Sequence, residues 1–188
     1  MLCGLNEVND HLFISSARSV TDSSLQQTGI TCVINCSLTP PSYSTGHLRY
    51  WAIAVEDNER ANISCYFDEV ADLIHQEQLI GGKVLVYCMA GISRSASLCL
   101  AYLMKYENLN LRSAFRLLRS RRPMVHPNNG FFQQLIDYER DLYHQTSVQM
   151  VRVPNAVSAD CIVPDVFYEV ARGMVWLKSC QENPTTKK

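Results

Sequence analysis

The stretch that decides the fold is residues 84–95, which read VLVYCMAGISRS. An apolar run from Lys83 to Tyr87 has the composition of a short buried strand. A short loop with a glycine follows, and a second apolar segment from Ser93 to Tyr106 predicts a helix that is buried almost all round. A strand, a short loop and a helix N-terminus aim several backbone N–H groups at one point, and such a point favours an anion.

Outside this stretch, strand patterns alternate with helix patterns along the first three quarters of the chain. We predict strands at 11–15, 30–35 and 48–55, and helices at 23–28, from Asn62 to the glycines at 81–82, at 111–120, and from Asn128 or Asn129 to about 142. This order favours an α/β fold with a central, mostly parallel sheet of about five strands, flanked by helices on both faces. We place this domain at residues 6–146 and interpret residues 147–188, which prolines interrupt, as a C-terminal tail that packs on it.

Composition limits the classes of function. The chain has 188 residues, 47% hydrophobic and 19% charged, which is typical of one globular domain. No apolar run approaches the roughly 18 residues of a membrane span, and a net charge of −1 predicts no nucleic-acid binding. Residues 1–80 contain three basic and ten acidic side chains, whereas residues 81–188 contain 14 and eight. An anionic substrate therefore suits the second half of the chain.

The eight cysteines do not have the spacing of a metal site, since no Cys-x-x-Cys pair occurs. The first residues show no signal-peptide pattern, so we expect reduced thiols and a location in the cytoplasm, and in the nucleus as well. We expect neither a metal ion nor another cofactor. Several of the cysteines, including Cys32, Cys36 and Cys99, are interpreted as small core residues.

Cys88 is the exception among the cysteines, because Cys88 and Arg94 flank the predicted anion site. A free thiol ionises near pH 8.5, and a helix N-terminus with a nearby cation lowers this to roughly 3.5–7.5. The N–H groups that stabilise a thiolate can also hold phosphate oxygens, and the guanidinium of Arg94 matches two of them. A thiolate that attacks phosphorus gives a cysteinyl-phosphate, which water then hydrolyses.

Asp57 is the candidate general acid for the leaving group. It follows the strand predicted at 48–55, and parallel strands would bring its loop to the same sheet edge as Cys88. The alternative interpretation is that Asp57 is a charged residue of the loop without a catalytic role, like its neighbours Glu56 and Glu59. Asp68 and Asp72 fit the solvated face of a helix better.

The segment from Cys88 to Ser95 resembles the Cys-x-x-Gly-x-x-Arg-Ser loop of protein tyrosine phosphatases, and its Ala-Gly and Ser-Arg-Ser choices resemble the dual-specificity class. The resemblance extends over about residues 6–146 and includes the segments 11–15, 29–35, 101–105, 122–123, 127–131 and 134–139. The chain is similar to the small atypical dual-specificity phosphatases. The resemblance implies a protein-tyrosine-phosphatase-like fold and phosphorylated proteins, including kinase-cascade members, as partners.

The resemblance also implies the roles of individual residues. Cys88 would be the nucleophile, Asp57 the general acid, and Ser95 would assist departure of the thiolate. The side chain of Arg94 would bind the phosphate together with the backbone of the loop, which consists of Met89, Ala90, Gly91, Ile92, Ser93 and Arg94. Asn128 would hold the loop in shape.

Tyr87 departs from the family pattern, which has histidine before the nucleophile and uses it to support the loop. Tyrosine can donate a hydrogen bond but cannot become positively charged. We therefore expect a less stabilised thiolate and a slower enzyme.

Three alternatives remain open. The first is a catalytically weak module that binds or scaffolds phosphoproteins, which the presence of Cys88, Arg94 and Asp57 disfavours. The second keeps the chemistry but acts on a phosphoinositide or an RNA 5′-phosphate, for which the loop lacks basic residues. The third is a rhodanese-like or arsenate-reductase site. The arginines at 112, 116, 119, 121 and 122 are interpreted as a solvated helix face, with a phosphoprotein-docking surface as the alternative.

Overall fold

The structure, a computed structural model, describes residues 4–152 and 162–168. Its main sheet has five strands in the spatial order β1-β2-β5-β3-β4. They are β1 (Asn6–Glu7), β2 (Leu12–Ser16), β3 (Cys32–Asn35), β4 (Arg49–Ala52) and β5 (Val84–Cys88). All neighbours are parallel except β1, which is antiparallel to β2. The predicted α/β class and the mostly parallel sheet are therefore confirmed.

Within residues 4–152, five α-helices connect and cover the strands: α1 (Asp22–Thr28), α2 (Phe67–Leu79), α3 (Arg94–Glu107), α4 (Leu111–Arg121) and α5 (Asn129–Tyr143). Leu85 and Tyr87 of β5 pack with Leu25 of α1 on one face of the sheet. Side chains alternate along a strand, so Cys88 points to the other face, where α3 contacts β5 and β2. The predicted helices thus lie on both faces.

The strand boundary that differs most from prediction is the end of β4, which lies at Ala52 and not at residue 55. Its partner β3 ends at Asn35, and the last contact between them is the hydrogen bond from Ile53 N to Asn35 O, 2.9 Å. The chain then leaves the sheet and forms the exposed loop that contains Asp57.

The predicted helix cap at Asn62 is wrong. A 3-10 turn at Ser64–Tyr66 precedes α2, and the amides of Ile63 and Ser64 both donate to Oε1 of Gln134, 2.9 Å away on α5. The Asn62 side chain instead accepts from the Ser64 hydroxyl. A tertiary contact therefore replaces the local cap.

The chain divides into two compact units, Met1–Ser147 and Val148–Lys188. In the second unit, β6 (Met150–Arg152) pairs antiparallel with β7 (Ile162–Pro164), with Val151 opposite Val163. Most of the predicted C-terminal tail lies outside the described residues, and its packing on the domain stays a prediction. No helix within the described ranges is long and apolar enough to cross a bilayer.

Candidate active site

The parallel strands bring three loops to one edge of the sheet. β5 ends at Cys88, and α3 begins six residues later at Arg94. The loop after β2 flanks residues 89–93 on one side, since Ser16 lies opposite Cys88 in the register. The loop after β3 flanks them on the other side, because Asn35 lies opposite Tyr87. Residues 88–94 thus form a loop at the carboxyl edge, where ligands of α/β proteins bind.

The carbonyl groups of this loop are all turned outward. Each carbonyl oxygen from residue 89 to residue 92 accepts a hydrogen bond from outside the loop. The Ala17 amide donates to the carbonyl of residue 89 at 3.3 Å, and the His126 amide donates to that of residue 92 at 2.9 Å. Between them, the Arg122 side chain donates to the carbonyls of residues 90 and 91, at 2.9 and 2.7 Å. In a planar trans peptide the N–H points opposite to the C=O, so the N–H groups of residues 90–93 face the inside of the loop. Such a ring of N–H groups is suited to an oxyanion.

Cys88 lies inside this ring. It is 2% exposed, and its Sγ accepts from the Gly91 amide and from the Ser95 hydroxyl, each at 3.2 Å. Both donors stabilise negative charge on the sulfur, together with the N-terminus of α3. Two hydrogen-bond donors therefore converge on the sulfur of the residue that the sequence predicts as the nucleophile.

Gly91 allows the loop to close this tightly. Its φ is +65°, in the left-handed region that glycine tolerates best. A Cβ at this position would also overlap the carbonyl group of Ser15 and lie 2.8 Å from Nη2 of Arg122. Only glycine both adopts this φ without strain and leaves room for the Ser15 carbonyl and Arg122.

Arg94 and Asp57 face each other across the mouth of the site. Arg94 is 8% exposed, and its Nε lies 3.5 Å from Oδ2 of Asp57. Its Nη1 donates weakly to the Val55 carbonyl at 3.4 Å, and its Nε has no hydrogen-bond partner among the described residues. The guanidinium is thus held beside the ring of N–H groups with donor capacity to spare for an anion.

The carboxylate of Asp57 is positioned by two further donors. Its Oδ1 accepts from the Ser93 hydroxyl at 2.7 Å and from Nδ2 of Asn128 at 3.0 Å. Asn128 also caps α5 by accepting from the Phe131 amide, which confirms the predicted start of that helix. At Gly130, a Cβ would overlap the backbone of Glu59, so the first turn of α5 lies directly against the Asp57 loop.

Tyr87 lies on the opposite face of the sheet from the Cys88 side chain. Its ring belongs to the apolar cluster around Phe13, Leu25 and Val33, and its hydroxyl accepts from the Tyr43 hydroxyl at 3.1 Å. Burial raises the pKa of Tyr87 to about 12, so the phenol stays neutral near pH 7. Support of the loop by this side chain stays a prediction.

Arg122 is the site residue that the sequence did not single out. It is 2% exposed and sends Nε and Nη2 to the carbonyls of Gly91 and Ala90, with Nη1 at 2.7 Å from Oδ1 of Asn6. The interpretation of this arginine as part of a solvated face is therefore wrong. Arg116 and Arg121 are exposed, as expected, whereas Arg112 and Arg119 are half-buried. One feature of the sequence could have shown this. Arg122 lies one residue beyond the end of α4 and directly before Pro123, so it does not belong to the solvated face of that helix.

Comparison with known proteins identifies the family. The family model described as "Dual specificity phosphatase, catalytic domain" matches residues 12–141. The dual specificity protein phosphatase 14 of Mus musculus is 41% identical over 173 residues, which cover 92% of this chain and 85% of that protein.

Solved structures agree with this comparison. The crystal structure of a variant of human DUSP28 matches with a TM-score of 0.72 and 32% identity, covering 76% of this chain and 99% of that one. A mouse putative dual specificity phosphatase, solved in complex with zinc tungstate, matches with a TM-score of 0.71 and 33% identity, covering 75% and 89%. The chain belongs to the dual specificity phosphatase family. It is a protein phosphatase of the small, atypical kind.

Proposed function

We propose that the protein hydrolyses phosphotyrosine and phosphoserine or phosphothreonine in proteins through a cysteinyl-phosphate intermediate on Cys88. The observation that supports this mechanism most strongly is the position of the Cys88 sulfur. It accepts two hydrogen bonds inside a ring of backbone N–H groups, with Arg94 beside it and Asp57 opposite.

In the first step, the thiolate of Cys88 attacks phosphorus and the bond to the ester oxygen breaks. The N–H groups of residues 90–93 and the guanidinium of Arg94 stabilise the charge on the three equatorial oxygens. Asp57, protonated at this stage, gives its proton to the leaving oxygen of the side chain.

In the second step, Asp57 accepts a proton from the attacking water, and the sulfur–phosphorus bond breaks. The products are inorganic phosphate and the Cys88 thiolate. The Ser95 hydroxyl already donates to Sγ at 3.2 Å, so it can stabilise the thiolate as it departs.

The substrates proposed are phosphoproteins of kinase cascades, in the cytoplasm and the nucleus. The family supports phosphoproteins as the substrate class. Cys32, Cys36, Cys65, Cys88 and Cys99, the cysteines within the described ranges, are all free thiols, which suits a reducing compartment.

The test is hydrolysis of a small aryl phosphate and of phosphotyrosine and phosphothreonine peptides by four variants and wild type. We expect Cys88→Ser to abolish turnover and Asp57→Asn to slow it by about 10²–10⁴-fold, the usual contribution of a general acid. Cys65→Ser and Asp141→Asn change the same residue types at exposed positions and should retain wild-type rates. Wild type that is no faster than Cys88→Ser, but still binds phosphopeptides, would contradict the proposal and favour a binding module.

A further inference from the structure

A second cavity lies at the same edge of the sheet as the Cys88 loop. It has a volume of about 250 Å³ and lies between the loops that follow β2 and β3. Its lining residues are Ala17, Arg18, Thr39, Pro40, Pro41, Ser42, Tyr43 and Tyr87. A water molecule in the liquid occupies about 30 Å³, so the space can accept a whole amino-acid side chain. We call it the Arg18 cavity.

The Arg18 cavity has apolar walls and one charged group. Two prolines, an alanine and two tyrosines provide most of the lining, and both tyrosine hydroxyls are neutral because burial raises their pKa values. Arg18 is exposed at the rim and makes no hydrogen bond or ion pair with any described residue. Since the lining contains no carboxylate, the cavity is complementary to an acidic side chain whose methylene groups contact the walls.

The cavity adjoins the phosphate-binding loop. The amide of Ala17, on its wall, donates to the carbonyl of Met89 at 3.3 Å, and Tyr87 directly precedes Cys88. Met89 itself is 46% exposed. An extended peptide advances about 3.3–3.6 Å per residue, so residues close to a bound phosphoresidue can reach Arg18.

We propose that the Arg18 cavity is a specificity subsite that binds a Glu or Asp side chain of the phosphoprotein, a few residues from the phosphorylated one. This inference rests on the proposed function and adds a substrate preference to it. Arg18 forms an ion pair with the acidic side chain, and Pro40, Pro41 and Tyr43 contact its stem.

The test is a peptide scan. A phosphotyrosine peptide with alanine at all flanking positions is compared with versions that contain a single Glu, or a single Lys, at each of them. We expect one position, or two adjacent ones, at which Glu raises kcat/KM about two- to five-fold over Ala, the range for an exposed ion pair. The preference should weaken as ionic strength increases.

Two variants reverse or enhance the effect. Arg18→Glu should remove the preference for Glu at that position and create one for Lys. Ser42→Arg, which adds a second cation across the cavity, should increase the preference for Glu. Arg140→Glu makes the same charge change near the end of α5, about 17 Å along the helix axis from its first residue at the site, and should leave the peptide profile unchanged.

The result that overturns the subsite is a flat Glu scan, or a Glu preference that Arg18→Glu leaves intact while the all-alanine peptide is still hydrolysed. Failure of the proposed function is a different result, because wild type would then hydrolyse neither the aryl phosphate nor any peptide. Hydrolysis of the aryl phosphate by Arg18→Glu at the wild-type rate shows that the variant is folded.

Discussion

The Nε atom of Arg122 lies 2.7 Å from the carbonyl oxygen of Gly91 and joins the chain just beyond α4 to the centre of the phosphate-binding loop. The same side chain holds the carbonyl of Ala90 at 2.9 Å and the Asn6 side chain at 2.7 Å. By fixing two carbonyls on the outside, Arg122 keeps the N–H groups of Gly91 and Ile92 on the inside. We class it as a positioning residue, because it binds the outer side of the loop through the carbonyls of Ala90 and Gly91.

Arg122→Met should therefore weaken both catalysis and oxyanion binding. Hydrogen bonds to a charged group contribute about 1.5–3 kcal/mol, so we expect kcat/KM to fall about 10- to 100-fold. The affinity for tungstate, measured by calorimetry well below the melting temperature, should fall with it. Arg122→Lys should not restore either quantity, since an ammonium group lacks the planar fork that reaches two carbonyls.

Arg121→Met is the matched control. Arg121 is adjacent and exposed, and its contact to Asn6 is made by its backbone carbonyl. It should retain activity and tungstate affinity. A fall in stability of Arg122→Met with normal tungstate affinity would show a structural role only.

Gly91→Ala should distort the loop. An alanine at φ +65° is strained by about 1–3 kcal/mol, and its Cβ would also displace the Ser15 carbonyl or Arg122. We expect a loss of unfolding free energy of at least this size, together with loss of most phosphatase activity. Gly46→Ala is the control, since a Cβ there meets nothing within 4 Å. Equal activity of the two variants would contradict the geometry derived for the loop.

Tyr87→His should move the acidic limb of the pH–rate profile to lower pH and raise the rate near pH 6. Burial raises the pKa of Tyr87 to about 12, so the phenol supplies no charge in this range. Burial opposes protonation of a histidine at this position as well, but unlike tyrosine it can carry a positive charge, and its protonated fraction would stabilise the thiolate of the adjacent residue. Tyr87→Phe, which is also neutral and loses the hydroxyl contacts with Tyr43 and Tyr50, should leave the limb in place. Superimposable profiles for Tyr87→His and wild type would contradict this expectation.

His11 should make the stability of the fold depend on pH. Burial lowers the pKa of His11 from its ordinary value of 6.5, although Glu107 opposes this. Below about pH 6.5 the unfolded chain therefore binds more protons than the folded chain, and the free energy of unfolding decreases as the pH falls. Urea titrations at several pH values measure this decrease. The free energy of unfolding of His11→Gln should decrease less than that of wild type as the pH falls, whereas His47→Gln, which changes a histidine on an exposed loop, should behave like wild type. If the free energy of unfolding of His11→Gln depends on pH as steeply as that of wild type, then His11 does not contribute to the pH dependence.

The sequence predicted the parts of the site that neighbouring residues determine. The apolar strand, the glycine turn and the apolar helix lie in one stretch, so Cys88, Arg94 and Ser95 could be placed together from pattern alone. The Asn128 cap was also predictable, since it acts on Phe131 three residues further on.

Contacts between distant segments were not predictable in this way. Asn6 and Arg122 are 116 residues apart, and Ile63 and Gln134 are 71 apart. Its position after α4 and before Pro123 separates Arg122 from the face of that helix, but only the fold shows that its side chain reaches the carbonyls of Ala90 and Gly91. Likewise, a side chain of α5 satisfies the amides before α2, which a reading of Asn62 and its neighbours could not show.

The cysteinyl-phosphate is tested most directly by trapping it in Ser95→Ala. In the proposed mechanism the Ser95 hydroxyl assists departure of the thiolate. Its removal should therefore slow the second step more than the first and let the intermediate accumulate during turnover of an aryl phosphate. After an acid quench, mass spectrometry should find one phosphoryl group on the peptide that contains Cys88. Ser97→Ala removes another buried hydroxyl of α3, which within the described part of the chain bonds only to the Ser93 carbonyl, and should accumulate much less. Continued turnover by Ser95→Ala with no phosphoryl group on Cys88, or with the group on another residue, would contradict the mechanism.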